Sequence, residues 1–102
     1  MNEIKLMISA SAIPSHSPRV VFRRINDECL LIPITDNIAD MDSLYRLNET
    51  GVFIWELIDG KRDITDITAR MAEEFDVDQA EAEKDIILFF EQVQEFLHFR
   101  EY

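Results

Sequence analysis

The chain is short of the residues on which most enzymatic activities depend: it has one cysteine, two histidines, two glycines and three prolines in 102 residues. A single cysteine excludes an intramolecular disulfide and any cysteine cage for a metal. Cys29 sits in the apolar run Cys29-Leu30-Leu31-Ile32, which suits a buried structural thiol in a reducing cytoplasm rather than a nucleophile. His16 lies in a Ser/Pro-rich stretch and His98 near the C-terminus. Neither has the neighbouring Cys or Asp pattern of a triad or metal site, so both are expected at exposed positions. Gly51 and Gly60 fall where helix packing and a helix stop account for them, leaving no loop to cradle a phosphate. Neither catalysis nor a bound cofactor is expected.

Positive charge is scarce too. Ten Lys and Arg stand against twenty-one Asp and Glu, a net charge of −11. Residues 1–35 carry four cations and three anions, a balance of +1, so the remainder is at −12. Such a field repels phosphate backbones and anionic lipid, arguing against nucleic acid and membrane partners, and it attracts a cationic peptide or basic protein face. Long apolar runs are missing, so no membrane span is expected. Lys5 ahead of Leu6-Met7-Ile8, with Ala10-Ser11-Ala12 behind, imitates an export signal, but Ser9 interrupts a core that is already too short. What remains is ordinary for a folded chain: 47% hydrophobic and 30% charged residues, enough for one compact domain.

Within that domain the order is a lead-in, strands, then helices. Residues 1–18, with the Ser- and Pro-rich stretch Ser9 to Pro18, are expected to form a flexible N-terminal arm, leaving residues 19–102 as the folded unit. Val20 to Ile25 is β-branched and aromatic, Asn26-Asp27-Glu28 is turn-like and Cys29 to Ile32 resumes strand character, which reads as a hairpin with Pro33 at the strand end. A third strand fits Ser43 to Leu47, completing an antiparallel meander with an open outer edge.

The helices are more clearly marked. Asn48 is an N-cap and Leu47 and Val52 stand at staple positions, giving a nearly all-apolar helix that ends before Asp59-Gly60, with Trp55 in the core. A second helix starts at Asp63, and Ile64, Ile67, Met71 and Phe75 form its buried face. The third has the capping-box pair Asp78 and Glu81 and is expected to continue through Ile86, Phe89, Val93 and Leu97. Leu88 does not fit its apolar stripe. It projects from the opposite side, among Glu81, Asp85, Gln92 and Glu95, where a structural helix would carry charge. The readings are a stray surface leucine, one covered by the N-terminal arm, or one wall of a binding groove.

The series Leu47-Asn48-Glu49-Thr50, Ile54-Trp55-Glu56-Leu57, Asp59-Gly60-Lys61-Arg62, Phe75-Asp76-Val77-Asp78 and Asp85-Ile86-Ile87-Leu88-Phe89 resembles the PqqD-like family over roughly residues 19–97. The resemblance implies a winged helix-like α+β fold, a three-stranded antiparallel meander followed by three helices. It also implies a role as recognition element in a ribosomal peptide pathway. In that family a precursor's leader adds as a strand to the third β-strand and packs against the third helix, while a radical S-adenosylmethionine (SAM) enzyme does the chemistry.

The residues themselves supply a reason for such docking. An outer strand at Leu44-Tyr45-Arg46-Leu47 would offer unpaired N–H and C=O groups to an extended peptide. If the third helix flanks that edge, Leu88 and Phe89 make an apolar wall and Asp85 and Gln92 offer polar anchors. Each has an ordinary reading beside it: Asp85 as a solvated carboxylate, Tyr45 as core, Arg46 as a guard against edge aggregation. The alternatives are a winged-helix DNA-binding regulator, opposed by a third helix with Lys84 alone against six carboxylates, and a structural subunit that docks through Phe96 to Tyr102; the other readings of that segment are a final strand or a fold back onto the core. The oligomeric state stays open between monomer and homodimer.

Overall fold

A computed structural model describes residues 11–100. The expected hairpin is present. Strand β2, Val20–Ile25, pairs antiparallel with β3, Glu28–Thr35, through a turn in which Asn26 takes a positive φ of 57°. Val20 and Phe22 face inward, and Cys29 and Leu31 of β3 join the core beneath them. Pro33 is not the strand end. β3 runs on to Thr35 because Pro33 lies opposite Val20 at the last β2 pair, where its missing donor costs little, and Ile34 N–H donates instead to the Arg19 carbonyl at 2.8 Å.

The polar stretch after it holds a second, small hairpin that the sequence reading passed over. Asp36 and Asn37 both adopt positive φ, 54° and 66°, a conformation short polar side chains tolerate, and they return the chain as β4, Ile38–Ala39. A 3₁₀ turn at Met41–Ser43 follows, so the third meander strand is shorter than expected: β5 spans Tyr45–Leu47. It pairs with β3 in the register Cys29 to Leu47, Leu30 to Arg46 and Leu31 to Tyr45. Tyr45 and Leu47 thus share the inner face, and Arg46 looks outward beside Glu28, 3.4 Å away.

Three helices pack on this sheet. Helix α1, Glu49–Leu57, opens on the Asn48 side chain, which accepts from Gly51 N–H at 2.8 Å. Ile54 and Trp55 lie buried at its centre. Asp59 then receives the N–H groups of Lys61 and Arg62 and an Arg62 guanidinium bond, which hold its carboxyl below the usual range. Helix α2, Ile64–Phe75, begins with a full capping box, Asp63 and Asp66 each satisfying the other's backbone N–H. It ends at Asp76, a left-handed residue of φ 53°. Helix α3, Gln79–Val93, is capped by the Asp78 carboxylate on Glu81 N–H. Ile86, Phe90 and Val93 of α3 are fully buried.

Two expectations are corrected at the ends of the chain. Helix α3 stops at Val93; Gln94–Phe96 forms a 3₁₀ turn and Leu97–Arg100 a strand, β6. Residues 11–18 of the expected arm belong to the fold: Ile13–His16 is strand β1, antiparallel to β6. The two corrections share one cause, because each segment supplies the other's hydrogen bonds. The β1 pairing also fastens the chain elsewhere, since the Ala12 and Pro14 carbonyls accept from Ile64 and Gly60, at 3.0 and 3.1 Å. Ala12 and Ile13 are buried, which a Ser/Pro-rich composition does not disclose. Residues 1–10 of that arm lie outside the described residues. Of the Phe-rich end, Phe96 and Leu97 are buried within the chain, whereas Phe99 is 38% exposed.

His16 joins this end to α1. Its ring stacks on Trp55 with centroids 3.8 Å apart, and its Nε2–H donates to the Trp55 carbonyl at 3.0 Å. Partial burial lowers its pKa, and the bond to that carbonyl offsets part of the shift. Both His16, which is stacked on one ring face, and His98 are exposed, as expected.

Candidate functional site

Strand β5 pairs with β3 on one side, and no described strand pairs with its other side. Along that free border lies a groove of about 270 Å³, bounded by β5, the first turns of α1 and one face of α3. The helix contributes Asp85, Leu88, Phe89 and Gln92, spaced so that they share one face. The strand contributes Tyr45, Arg46 and Leu47. Seven of the eight residues selected from sequence therefore meet around one hollow. Leu44 does not; it is the half-buried residue that ends the 3₁₀ turn before β5.

The floor of the groove is apolar and its two ends are polar. Leu47 and Phe89 are 8% and 7% exposed, whereas Leu88 is 54% exposed with its side chain on the rim. At one end the Tyr45 hydroxyl donates to Gln92 Oε1 at 2.6 Å, tying strand to helix. The other end holds Asp85, which is exposed and has no ion-pair partner among the described residues. Lys84 beside it on the helix lies 4.0 Å from Glu81.

The sequence reading did not select Asn48, Thr50, Gly51 and Ile54, which close the groove on the α1 side. A signal was available, since α1 starts directly after β5 and its first turn must lie beside the strand's end. Gly51 is buried, and a Cβ there would stand 3.1 Å from Leu47 Cδ2 and 3.3 Å from Phe89 Cε1. The glycine allows α1 to pack close behind the groove floor.

A second hollow of about 280 Å³ lies between α2 and α3, walled by Ile64, Thr68, Ile86 and Phe90. It borders no open strand edge. Among the described residues no group of three or more His, Cys, Asp or Glu side chains is placed to hold a metal ion, and no helix is long and apolar enough to cross a membrane.

Two solved structures share this architecture. TbiB1 in complex with the TbiA(beta) leader peptide aligns with a TM-score of 0.67 at 24% identity, over 82% of this chain and 94% of its own. The PqqD truncation of Methylobacterium extorquens PqqCD, solved by solution NMR and described as a functional, stand-alone recognition element for ribosomally synthesised and post-translationally modified peptides, aligns at 0.65 and 21% identity. That alignment covers 89% of this chain and 94% of its own. At these identities the likeness establishes the fold, an α+β unit with an antiparallel meander and three helices. No curated protein matches the chain in sequence. The family model for coenzyme PQQ synthesis protein D (PqqD) matches residues 37–95, a span that takes in β5, all three helices and the whole lining of the groove, and the chain belongs to that family.

Proposed function

We propose that this protein is a non-catalytic adaptor that holds the leader of a ribosomally made precursor peptide and presents it to a separate maturation enzyme, a radical SAM enzyme. The observation that carries the reading is the pairing of an open strand edge at Tyr45–Leu47 with a partly apolar helix face beside it. An extended peptide laid along β5 satisfies that edge with its own backbone and places alternate side chains over Leu88 and Phe89. Family membership supports the role, as do the two structural neighbours, one bound to a leader and the other a stand-alone recognition element. The buried free thiol of Cys29 accords with a reducing cytoplasm. The acidic face of α3 disfavours the DNA-binding alternative.

The test is a titration of the ¹⁵N-labelled full chain with synthetic peptides tiling the leaders of short reading frames encoded beside its gene. The expected result is a Kd below about 10 μM for one of them, with amide shifts concentrated at residues 45–47 and on the α3 face. Shifts confined to the hollow between α2 and α3 would overturn the site.

A further inference from the structure

We propose that the peptide this groove selects carries a Lys or Arg two residues before its apolar anchor, and that Asp85 is the residue that reads that cation. The inference rests on the leader-docking reading above and adds the chemistry and direction of the ligand.

Three observations combine. The first is the inventory of charge around the groove. Only Arg46 and Asp85 among its lining residues are ionised, and Arg46 has an anionic neighbour in Glu28, 3.4 Å away. Asp85 has no ion-pair partner among the described residues, and the adjacent Lys84 lies 4.0 Å from Glu81 instead. A ligand that covers the groove therefore meets one uncompensated negative charge, and a cationic side chain is the group that offsets its desolvation.

The second is spacing. Asp85 precedes Leu88 and Phe89 by three and four residues on one helix, about 4.5–6 Å along the axis. Side chains on the same face of an extended strand recur about every 7 Å. A peptide with one side chain over the Leu88 and Phe89 surface thus brings its next same-face side chain close to Asp85.

The third is direction. The Tyr45 hydroxyl reaches Gln92, whereas Leu47, two residues further along β5, meets Phe89 around Gly51, where a Cβ would stand 3.1 Å from Leu47 Cδ2 and 3.3 Å from Phe89 Cε1. The chain therefore passes α3 from its C-terminal end toward Asp85. Every described strand pair is antiparallel. A strand added antiparallel to β5 runs from the Asp85 end to the Gln92 end, so the cation comes first and the apolar anchor second.

The experiment is a selection of randomised dodecapeptides displayed on phage, with the full chain as bait in four forms: wild type, Asp85→Asn, Asp85→Lys and Leu88→Glu. Enriched peptides are then synthesised and their affinities measured with the cation replaced by Gln. The expected result is a cation two positions before an apolar residue on wild type, worth roughly three- to tenfold in Kd. That preference is lost on Asp85→Asn and replaced by Asp or Glu on Asp85→Lys. If an apolar anchor is enriched and depends on Leu88 but no cation accompanies it, the proposal is overturned while leader docking stands. If no peptide is enriched on any bait, leader docking itself fails and the proposal fails with it. Asp85 is exposed and makes no structural bond, so both of its variants are expected to fold, which a thermal melt of each bait verifies.

Discussion

Replacing Leu88 by Glu separates groove from core more sharply than any other single change. The side chain is 54% exposed, so about half of its surface is still available to a ligand. Full burial of a leucine is worth about 1.5–3 kcal/mol, which leaves roughly 1 kcal/mol for the peptide to gain and sets the expected loss for Leu88→Ala at about fivefold in Kd. A carboxylate at the same place must also be stripped of water against an apolar wall, raising the expected loss to about 2 kcal/mol, near thirtyfold. The fold should hardly notice. The position is exposed, and the new Glu would have Lys84 four residues before it and Asp85 three before, so the change in stability should stay within about 0.5 kcal/mol. Fluorescence anisotropy with a labelled leader peptide, paired with urea unfolding of the same preparations, reads both quantities. Unaltered affinity at unaltered stability would show that Leu88 is an ordinary surface leucine and that the groove is not the docking slot.

Three further outcomes follow from the packing. Ile13→Ala should cost about 2–4 kcal/mol in urea unfolding, because Ile13 is 2% exposed and anchors β1; a neutral effect would return this segment to the status of a loose arm. Gly51→Val should destabilise by about 1–3 kcal/mol, since its Cβ would press on Leu47 and Phe89, and the displaced Phe89 should weaken peptide binding as well. The His16 imidazole is held below its ordinary pKa by partial burial against Trp55, so the unfolded chain takes up its proton first. Its contribution to stability is complete above about pH 6.5 and is lost as pH falls from there through the folded value. Melting temperatures at pH 7.5 and 5.0 should therefore drop further for wild type than for His16→Phe; parallel drops would deny the linkage.

The helices were legible because their signals are local. Asn48, Asp63 and Asp78 each cap the helix that the following apolar pattern announces, and caps act within one turn. The groove was legible for a related reason: Asp85, Leu88, Phe89 and Gln92 fall on one face by helical period alone, and an outward leucine breaks that pattern. What the sequence hid is long-range. Nothing near Ile13 announces a partner some eighty residues later, and β1 and β6 are strands only because they meet. At the N-terminal end a Ser- and Pro-rich composition argued the other way, and at the C-terminal end a final strand stood as one reading beside a continuing helical period; tertiary pairing decided both. The Asp36-Asn37 turn was locally encoded by two residues that tolerate positive φ, but a two-residue strand beyond it carries too little pattern to be read. Gly51 and the first turn of α1 entered the groove through packing, which no spacing rule reports.

The measurement closest to the heart of the account is amide hydrogen exchange on the full chain, free and saturated with a leader peptide. If a peptide strand pairs with β5, amide protection must rise at residues 45–47 and stay unchanged along β2, Val20–Ile25, the border on the far side of the same sheet. A peptide that binds tightly yet leaves 45–47 exchanging as before, or that protects β2 instead, would contradict it.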